Sequence, residues 1–202
     1  MPNIGVFIDR DGTISEEVGY INHVSRFQVY PWSPDAIRSL NQIGLRAILV
    51  TNQAGVARGY FKESMIEEVH QKLRNELGKT GAFLDAIYYC PHHPSAGVPP
   101  YRMDCNCRKP KPGMLLRAAS EFEIDLSQSY VIGDRYSDIE LARNAGSKAI
   151  FVLSGYGLGE YEYQRQHWIV QPDWIARDLQ EATEIILRQY QAAFSARKID
   201  RA

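Results

Sequence analysis

Asp9 and Asp11 stand two residues apart, directly after the apolar run Ile4-Gly5-Val6-Phe7-Ile8 and just before Gly12-Thr13. Two carboxylates that close repel each other, and a bound cation or a shared proton relieves the cost. A third acid, Asp134, ends another short apolar stretch, and Thr51 ends a third. Hard oxygen donors of this kind suit Mg²⁺. The Thr51 hydroxyl and the N–H groups of the turn behind it suit phosphate oxygens. Lys109 lies just ahead of a helix start at Pro112, where positive potential from the helix adds to its own charge. Carboxylates, a divalent cation, a hydroxyl and a lysine around one phosphate describe phosphoryl transfer. Ordinary turn aspartates would explain each position singly, but not three polar positions all at strand ends.

A second constellation is separate from the first. All three cysteines fall within residues 90–107, as Cys90-Pro91-His92 and Cys105-Asn106-Cys107. An odd number of cysteines clustered this way argues for metal or reactivity rather than a disulfide framework. Three thiolates and one imidazole fit a closed tetrahedral Zn²⁺ site, and the spacing admits His92 or His93 as the fourth ligand. A buried cluster of reduced thiols is the alternative. Zinc here would be structural, ordering a Pro-rich loop with little core of its own and fixing Arg108 and Lys109 beside the phosphate.

The elements that must carry these residues alternate between strand and helix. Apolar runs predict strands over 45–50, 83–89, 130–133 and 148–153, with a short extended piece near Trp174. A helix is expected after Ser33 as N-cap with Pro34 in its first turn, ending at Gly44. Others should open on a Ser64–Glu67 capping box, at Pro112, on a Ser137–Glu140 cap and at Asp178 with Glu181. Residues 12–30 read as a loop or small hairpin over the end of the first strand, 155–166 as loop, and the tail beyond Phe194 as polar and frayed. Such alternation means a parallel sheet with helices on both faces, and ligands bind beyond the carboxyl ends of its strands.

The 202 residues suffice for a single domain, 1–202, with one substantial core. A net charge of -1 argues against a nucleic-acid partner held by a broad basic surface. The absence of a long apolar run and of a secretory pattern leads us to expect a cytoplasmic protein with no membrane association. No large uncommitted apolar stripe is visible, so a monomer is expected.

Asp-Arg-Asp-Gly-Thr at 9–13, a Thr at the second strand end, a Lys ahead of a helix, and Gly-Asp-x-x-x-Asp at 133–138 resemble the four motifs of the haloacid dehalogenase (HAD) superfamily. The resemblance implies a Rossmann-like α/β fold and an aspartyl-phosphate mechanism. Asp9 would be the nucleophile and Asp11 the general acid and base. Thr51 and Lys109 would hold the phosphoryl group. Asp9, the backbone carbonyl of Asp11, and Asp134 would hold Mg²⁺. With the cysteine loop, Thr-Asn-Gln-Ala-Gly-Val-Ala-Arg-Gly at 51–59 and Cys-Arg-Lys-Pro-Lys-Pro-Gly-Met at 107–114, the chain closely resembles the zinc-carrying heptose-1,7-bisphosphate phosphatase family over nearly its whole length. That likeness implies Zn²⁺ on Cys90, His92, Cys105 and Cys107. It also implies substrate contacts from Glu17, Val18, Gly19 and Tyr20 in a flap, and from Asn52, Gln53, Ala54, Arg108 and Arg135. Some members carry Lys at the last position; the charge is kept while the hydrogen-bond geometry changes. The expected place of such an enzyme is nucleotide-activated heptose synthesis for lipopolysaccharide or another surface glycan.

Arg108 and Arg135 also have an independent rationale, because a phosphate that is not cleaved needs cations away from Lys109. The segment after Thr13 is too short for a large cap domain, which suits a substrate larger than a simple ester. A histidinol-phosphate phosphatase would share the motifs, but its substrate bears one phosphate and a cationic amine, a poor match for two arginines. Polynucleotide 3′-phosphatases share Asp-x-Asp-Gly-Thr and Thr-Asn-Gln; the weak basic character and the cysteine loop count against them. A non-catalytic zinc-stabilised binding module leaves the full catalytic set unexplained.

Overall fold

A computed structural model describes residues 3–199, with side chains described up to residue 193. The opening apolar run forms β1 (Gly5–Ile8), buried along its whole length. Side chains alternate across a strand, and here the alternation divides the core. Val6 and Ile8 join one hydrophobic cluster, while Phe7 joins the other on the opposite face of the sheet. A strand covered on both faces needs apolar residues at every position, which is why this one reads as a continuous run.

The other strands are β2 (Arg46–Asn52), β3 (Ala86–Cys90), β4 (Tyr130–Gly133), β5 (Lys148–Val152) and β6 (Trp174–Ala176). All pair in parallel, in the order β3-β2-β1-β4-β5-β6. Helices α1 (Ser33–Gln42), α2 (Ser64–Gly78) and α6 (Leu179–Ile199) bury Ile37, Leu73 and Ile186, among others, on the Val6 face. Helices α3 (Gly113–Phe122) and α4 (Tyr136–Ala145) bury Leu115 and Leu141 on the Phe7 face. The architecture is the three-layer, Rossmann-like α/β arrangement expected from the alternation. Strand order reverses at β1, between β2 and β4, and ligands bind at such a switch point. Among the described residues no helix is long and apolar enough to cross a membrane.

Several local expectations change, each for a physical reason. Ser33 does not cap α1 but lies inside it, its hydroxyl donating to the Ile14 carbonyl at 2.8 Å. Glu63, not Ser64, precedes α2; its carboxylate accepts from the Tyr89 and Tyr101 hydroxyls at 2.9 and 2.7 Å instead of capping. At α4 the Asp138 carboxylate, rather than Glu140, accepts from the backbone N–H of the preceding residue, Arg135, at 3.2 Å. β3 starts at Ala86 because Phe83 exchanges both its backbone hydrogen bonds with the Asn41 side chain. Residues read as loop after Gly155 contain a helix, α5 (Gly157–Gln164). The tail continues α6 to Ile199 rather than fraying at Phe194, and 200–202 lie outside the described residues. Asp178 does cap α6, accepting from the Glu181 N–H at 3.0 Å.

Candidate active site

The residue after β1 is Asp9, and the residue after β4 is Asp134. Parallel pairing of the two strands sets them side by side. The first turn of α4 adds Asp138, and carboxylate oxygens of all three lie within 4.8 Å of one another. Asp138 is the last residue of the Gly-Asp-x-x-x-Asp motif, but sequence reading gave it no role. Lys109 Nζ sits among them, 2.8 Å from Asp9 Oδ1 and 2.6 Å from Asp138 Oδ1, and donates to the Val50 carbonyl at 3.2 Å. Burial pushes the Asp9 carboxyl up to about 6 in spite of Lys109. Asp134 is raised well above the carboxylate range by burial, then by Asp9 and Asp138. Burial works against the charge on Lys109, but Asp138 and Asp9 outweigh it and hold the lysine protonated.

This donor set fits a hard divalent cation. Asp134 Oδ2 accepts from the Tyr156 N–H at 2.8 Å, while Oδ1 is buried without a hydrogen-bond partner among the described residues. A buried carboxylate oxygen left without a partner is costly, and coordination to Mg²⁺ would satisfy it. The chain is tightly drawn around this carboxylate. Gly12 at φ +85° and Gly155 at φ +57° both press on it; a Cβ at either would lie 2.1 or 2.3 Å from Asp134 Oδ2.

Asp11 has a different environment. Its carboxylate lies outside the acidic cluster and is gripped by Arg10, Nε to Oδ1 at 2.9 Å and Nη2 to Oδ2 at 2.7 Å. Arg10 is only 1% exposed, and its Nη1 lies 3.3 Å from His70 Nε2. An arginine can only donate, so that His70 nitrogen accepts and the ring is neutral; burial, then Arg10, draws its pKa down to about 3. Gln53 completes the arrangement by donating to Asp11 Oδ2 and to Thr51 Oγ1, each at 2.9 Å. Asn52 exchanges two hydrogen bonds with the backbone of Lys109, at 3.0 and 3.2 Å. The Thr-Asn-Gln run thereby ties the end of β2 to both the proton-transfer candidate and the lysine.

These groups open on one cavity of about 340 Å³. Of the residues singled out from sequence, Asp9, Asp11, Glu17, Gly19, Tyr20, Thr51, Asn52, Gln53, Ala54, Arg108, Lys109 and Arg135 line it. Asp134 lies buried beneath. Val18 does not line it: the side chain packs against the core, the carbonyl accepts from Arg26 Nη2 at 2.9 Å, and the residue borders a shallower adjoining cavity. Arg26 also holds the Tyr20 carbonyl at 3.0 Å, and the Tyr20 ring meets Tyr60 edge-on at 4.6 Å, which fixes the flap over the site. Ser137, read from sequence only as a helix cap, and Tyr156, which no sequence signal set apart, line the cavity as well.

At the end of β3 the second constellation assembles. Cys90 Sγ is 3.5 Å from Cys105 Sγ, Cys107 Sγ is 3.3 Å from Cys105 Sγ, and His92 Nδ1 is 3.4 and 3.7 Å from Cys107 and Cys90. A tetrahedral zinc site separates its ligands by about 3.6–3.8 Å, so the four atoms stand close to that pattern. Hydrogen bonding from Cys90 pulls the Cys107 thiol down to about 5 although burial opposes it, and a thiolate is what zinc binds. His93 is engaged elsewhere: Nε2 is 3.0 Å from Arg58 Nη2, and Nδ1 accepts from the N–H groups of Ser95 and Ala96. Of the two histidines open to the spacing argument, the structure brings His92 to the cysteines.

Comparison with known proteins agrees with this geometry. A HAD-hydrolase-like family model matches residues 106–182. A D-glycero-D-manno-heptose-1,7-bisphosphate 7-phosphatase of Thermosynechococcus vestitus is 43% identical, over 92% of this chain and 96% of its own. A D-glycero-beta-D-manno-heptose-1,7-bisphosphate 7-phosphatase of Escherichia coli is 36% identical, over 93% and 96%. Among solved structures, a D,D-heptose 1,7-bisphosphate phosphatase from B. bronchiseptica, complexed with magnesium and phosphate, superposes with a TM-score of 0.81. It is 30% identical, over 92% of this chain and 99% of that one.

Proposed function

Because the chain belongs to the heptose-1,7-bisphosphate 7-phosphatases of the haloacid dehalogenase superfamily, a family of phosphoric monoester hydrolases, we propose that it removes the C7 phosphate of D-glycero-D-manno-heptose 1,7-bisphosphate by way of an aspartyl-phosphate. One observation carries the mechanism: a buried Asp9 carboxylate, paired to Lys109 and crowded by Asp134 and Asp138, faces the cavity beside a separately held Asp11. An Asp9 oxygen attacks phosphorus as the P–O bond to C7 breaks, and Asp11 gives its proton to the departing alkoxide. Asp11 then takes a proton from water, which attacks the aspartyl-phosphate, releases inorganic phosphate and restores the Asp9 carboxylate. Lys109 and Thr51 hold the phosphoryl oxygens throughout.

Mg²⁺ would be held by Asp9, Asp134 and the backbone carbonyl of Asp11, and when bound it supplies positive charge to the phosphoryl oxygens. The position of Asp138 suggests that it secures Lys109. Zn²⁺ on Cys90, His92, Cys105 and Cys107 is structural in this reading. The His92 carbonyl accepts from Arg108 Nη1 at 3.2 Å, which joins the loop to the cavity. Arg108 and Arg135 receive the phosphate on C1, the group that stays on the product. The product feeds nucleotide-activated heptose synthesis.

Phosphate release from heptose 1,7-bisphosphate and from histidinol phosphate, with Mg²⁺ present, tests the reading. The bisphosphate should give the higher kcat/KM; equal or reversed values reject the assignment. Asp9→Asn should abolish turnover while the fold survives, and near-normal turnover rejects Asp9 as nucleophile.

A further inference from the structure

Arg135 is an exposed arginine on the cavity wall, and an arginine on a free stem spends most of its time elsewhere. Two contacts hold this one. Its guanidinium lies over the Tyr156 ring at 4.3 Å, and its Nε is 2.8 Å from Glu160 Oε1. Glu160 is itself 8% exposed, on α5, and its other oxygen accepts from the Tyr136 N–H at 2.7 Å in the first turn of α4. One buried carboxylate therefore ties the first turn of α4 to the side chain of the arginine just ahead of it. The two Nη groups of Arg135 have no hydrogen-bond partner among the described residues, and the residue borders the cavity. A guanidinium held by Nε and by one face keeps its Nη edge free for the bidentate geometry that phosphate oxygens favour.

We infer that Glu160 is a positioning residue for bisphosphate specificity, presetting Arg135 to receive the phosphate that is not cleaved. This rests on the functional reading above, which places a second phosphate in the cavity. Charge alone argues the opposite: a carboxylate beside Arg135 offsets its attraction for an anion, so deleting that charge should tighten binding. Geometry argues that binding weakens. Glu160→Gln separates the two, because the amide oxygen can still accept from the Tyr136 N–H while the charge that holds the guanidinium is gone. With that oxygen kept on Tyr136, the amide NH₂ faces the guanidinium in place of a carboxylate oxygen, and the arginine is no longer held.

The test compares heptose 1,7-bisphosphate with heptose 7-phosphate, which lacks the distal phosphate, in wild type, Glu160→Gln, Arg135→Ala and the double variant. Glu160→Gln should raise KM for the bisphosphate roughly tenfold, the scale of one charge-assisted hydrogen bond, with little change in kcat. KM for the monophosphate should stay put, and in the Arg135→Ala background Glu160→Gln should add nothing. An unchanged or lower bisphosphate KM overturns the inference, as does an equal effect on both substrates. Should Glu160→Gln fail to fold, Glu160→Asp, too short to reach both the Tyr136 N–H and the guanidinium, should give the same split, and its absence counts equally against the inference. A wild-type enzyme that does not prefer the bisphosphate overturns the functional reading and this inference together. A wild-type preference untouched by the Glu160 variants overturns this inference alone.

Discussion

Asp134 shows how much of the site is set by single residues. Gly155 has a positive φ and sits where a methyl group would strike Asp134 Oδ2, so Gly155→Ala meets strain and a clash at once. We expect it to raise the Mg²⁺ concentration for half-maximal phosphate release about tenfold or more, equivalent to ~1.4 kcal/mol or above. Gly159→Ala, on the same segment with open space at its Cβ, should be neutral or stabilising by up to ~1 kcal/mol. A magnesium titration of both variants checks the pair. His70 gives a pH prediction. Its folded value of about 3 lies below its ordinary 6.5, so the unfolded chain takes up a proton that the folded one refuses. Its stabilising contribution is complete above pH 6.5 and is lost as pH falls from there towards 3. Thermal melts of wild type should drop more steeply across that window than those of His70→Gln; parallel curves would contradict this. The residues of this scale differ in legibility. Asp9 and Asp134 stand out because each ends an apolar run. Arg10 and His70 do not, since sixty positions separate them and neither breaks a pattern.

At the scale of elements, the strands are the legible part and the helix starts are less so. A strand buried on both faces leaves a continuous apolar run, hence the early visibility of β1, β2 and β4. Serines 33, 64 and 137 all look like caps, yet each lies inside its helix; Ser33 gives its hydroxyl to the Ile14 carbonyl, and the carboxylate of Glu63, which precedes α2, is taken by two tyrosine hydroxyls. Helix α5 escapes sequence reading for another reason. Gly157 and Gly159 give it poor intrinsic propensity, and it is held instead by Glu160 reaching α4 and by Tyr161 packing on the core. In the proposed reading, the cysteine loop is an element whose order depends on zinc. Metal analysis should find about one zinc per chain. Stripping it with a chelator should lower Tm and raise KM for the bisphosphate more than it lowers kcat, since Arg108 is anchored to the His92 carbonyl. A zinc-free protein with unchanged Tm and KM would remove zinc from the account.

For the whole molecule, the parallel sheet with a reversal at β1 does most to create the site. It sets the ends of β1, β2 and β4 along one edge, and α4 starts from that edge with its acid inward. Topology of this kind follows from strand–helix alternation, whereas the paths of the flap, of α5 and of the cysteine loop depend on contacts that no local pattern encodes. The acidic cluster itself has one more consequence, concerning the order of arrival. Three buried carboxylates surround one ammonium group at the β1–β4 end of the cavity, so negative charge is in excess there even though Arg108 and Arg135 line the same cavity. A phosphate group approaching it is repelled until a cation has entered. The enzyme should therefore bind magnesium first and its anionic substrate second. Calorimetric titration with inorganic phosphate should give measurable heat with Mg²⁺ present and none in EDTA; equal affinity in both would mean that the two ligands enter independently.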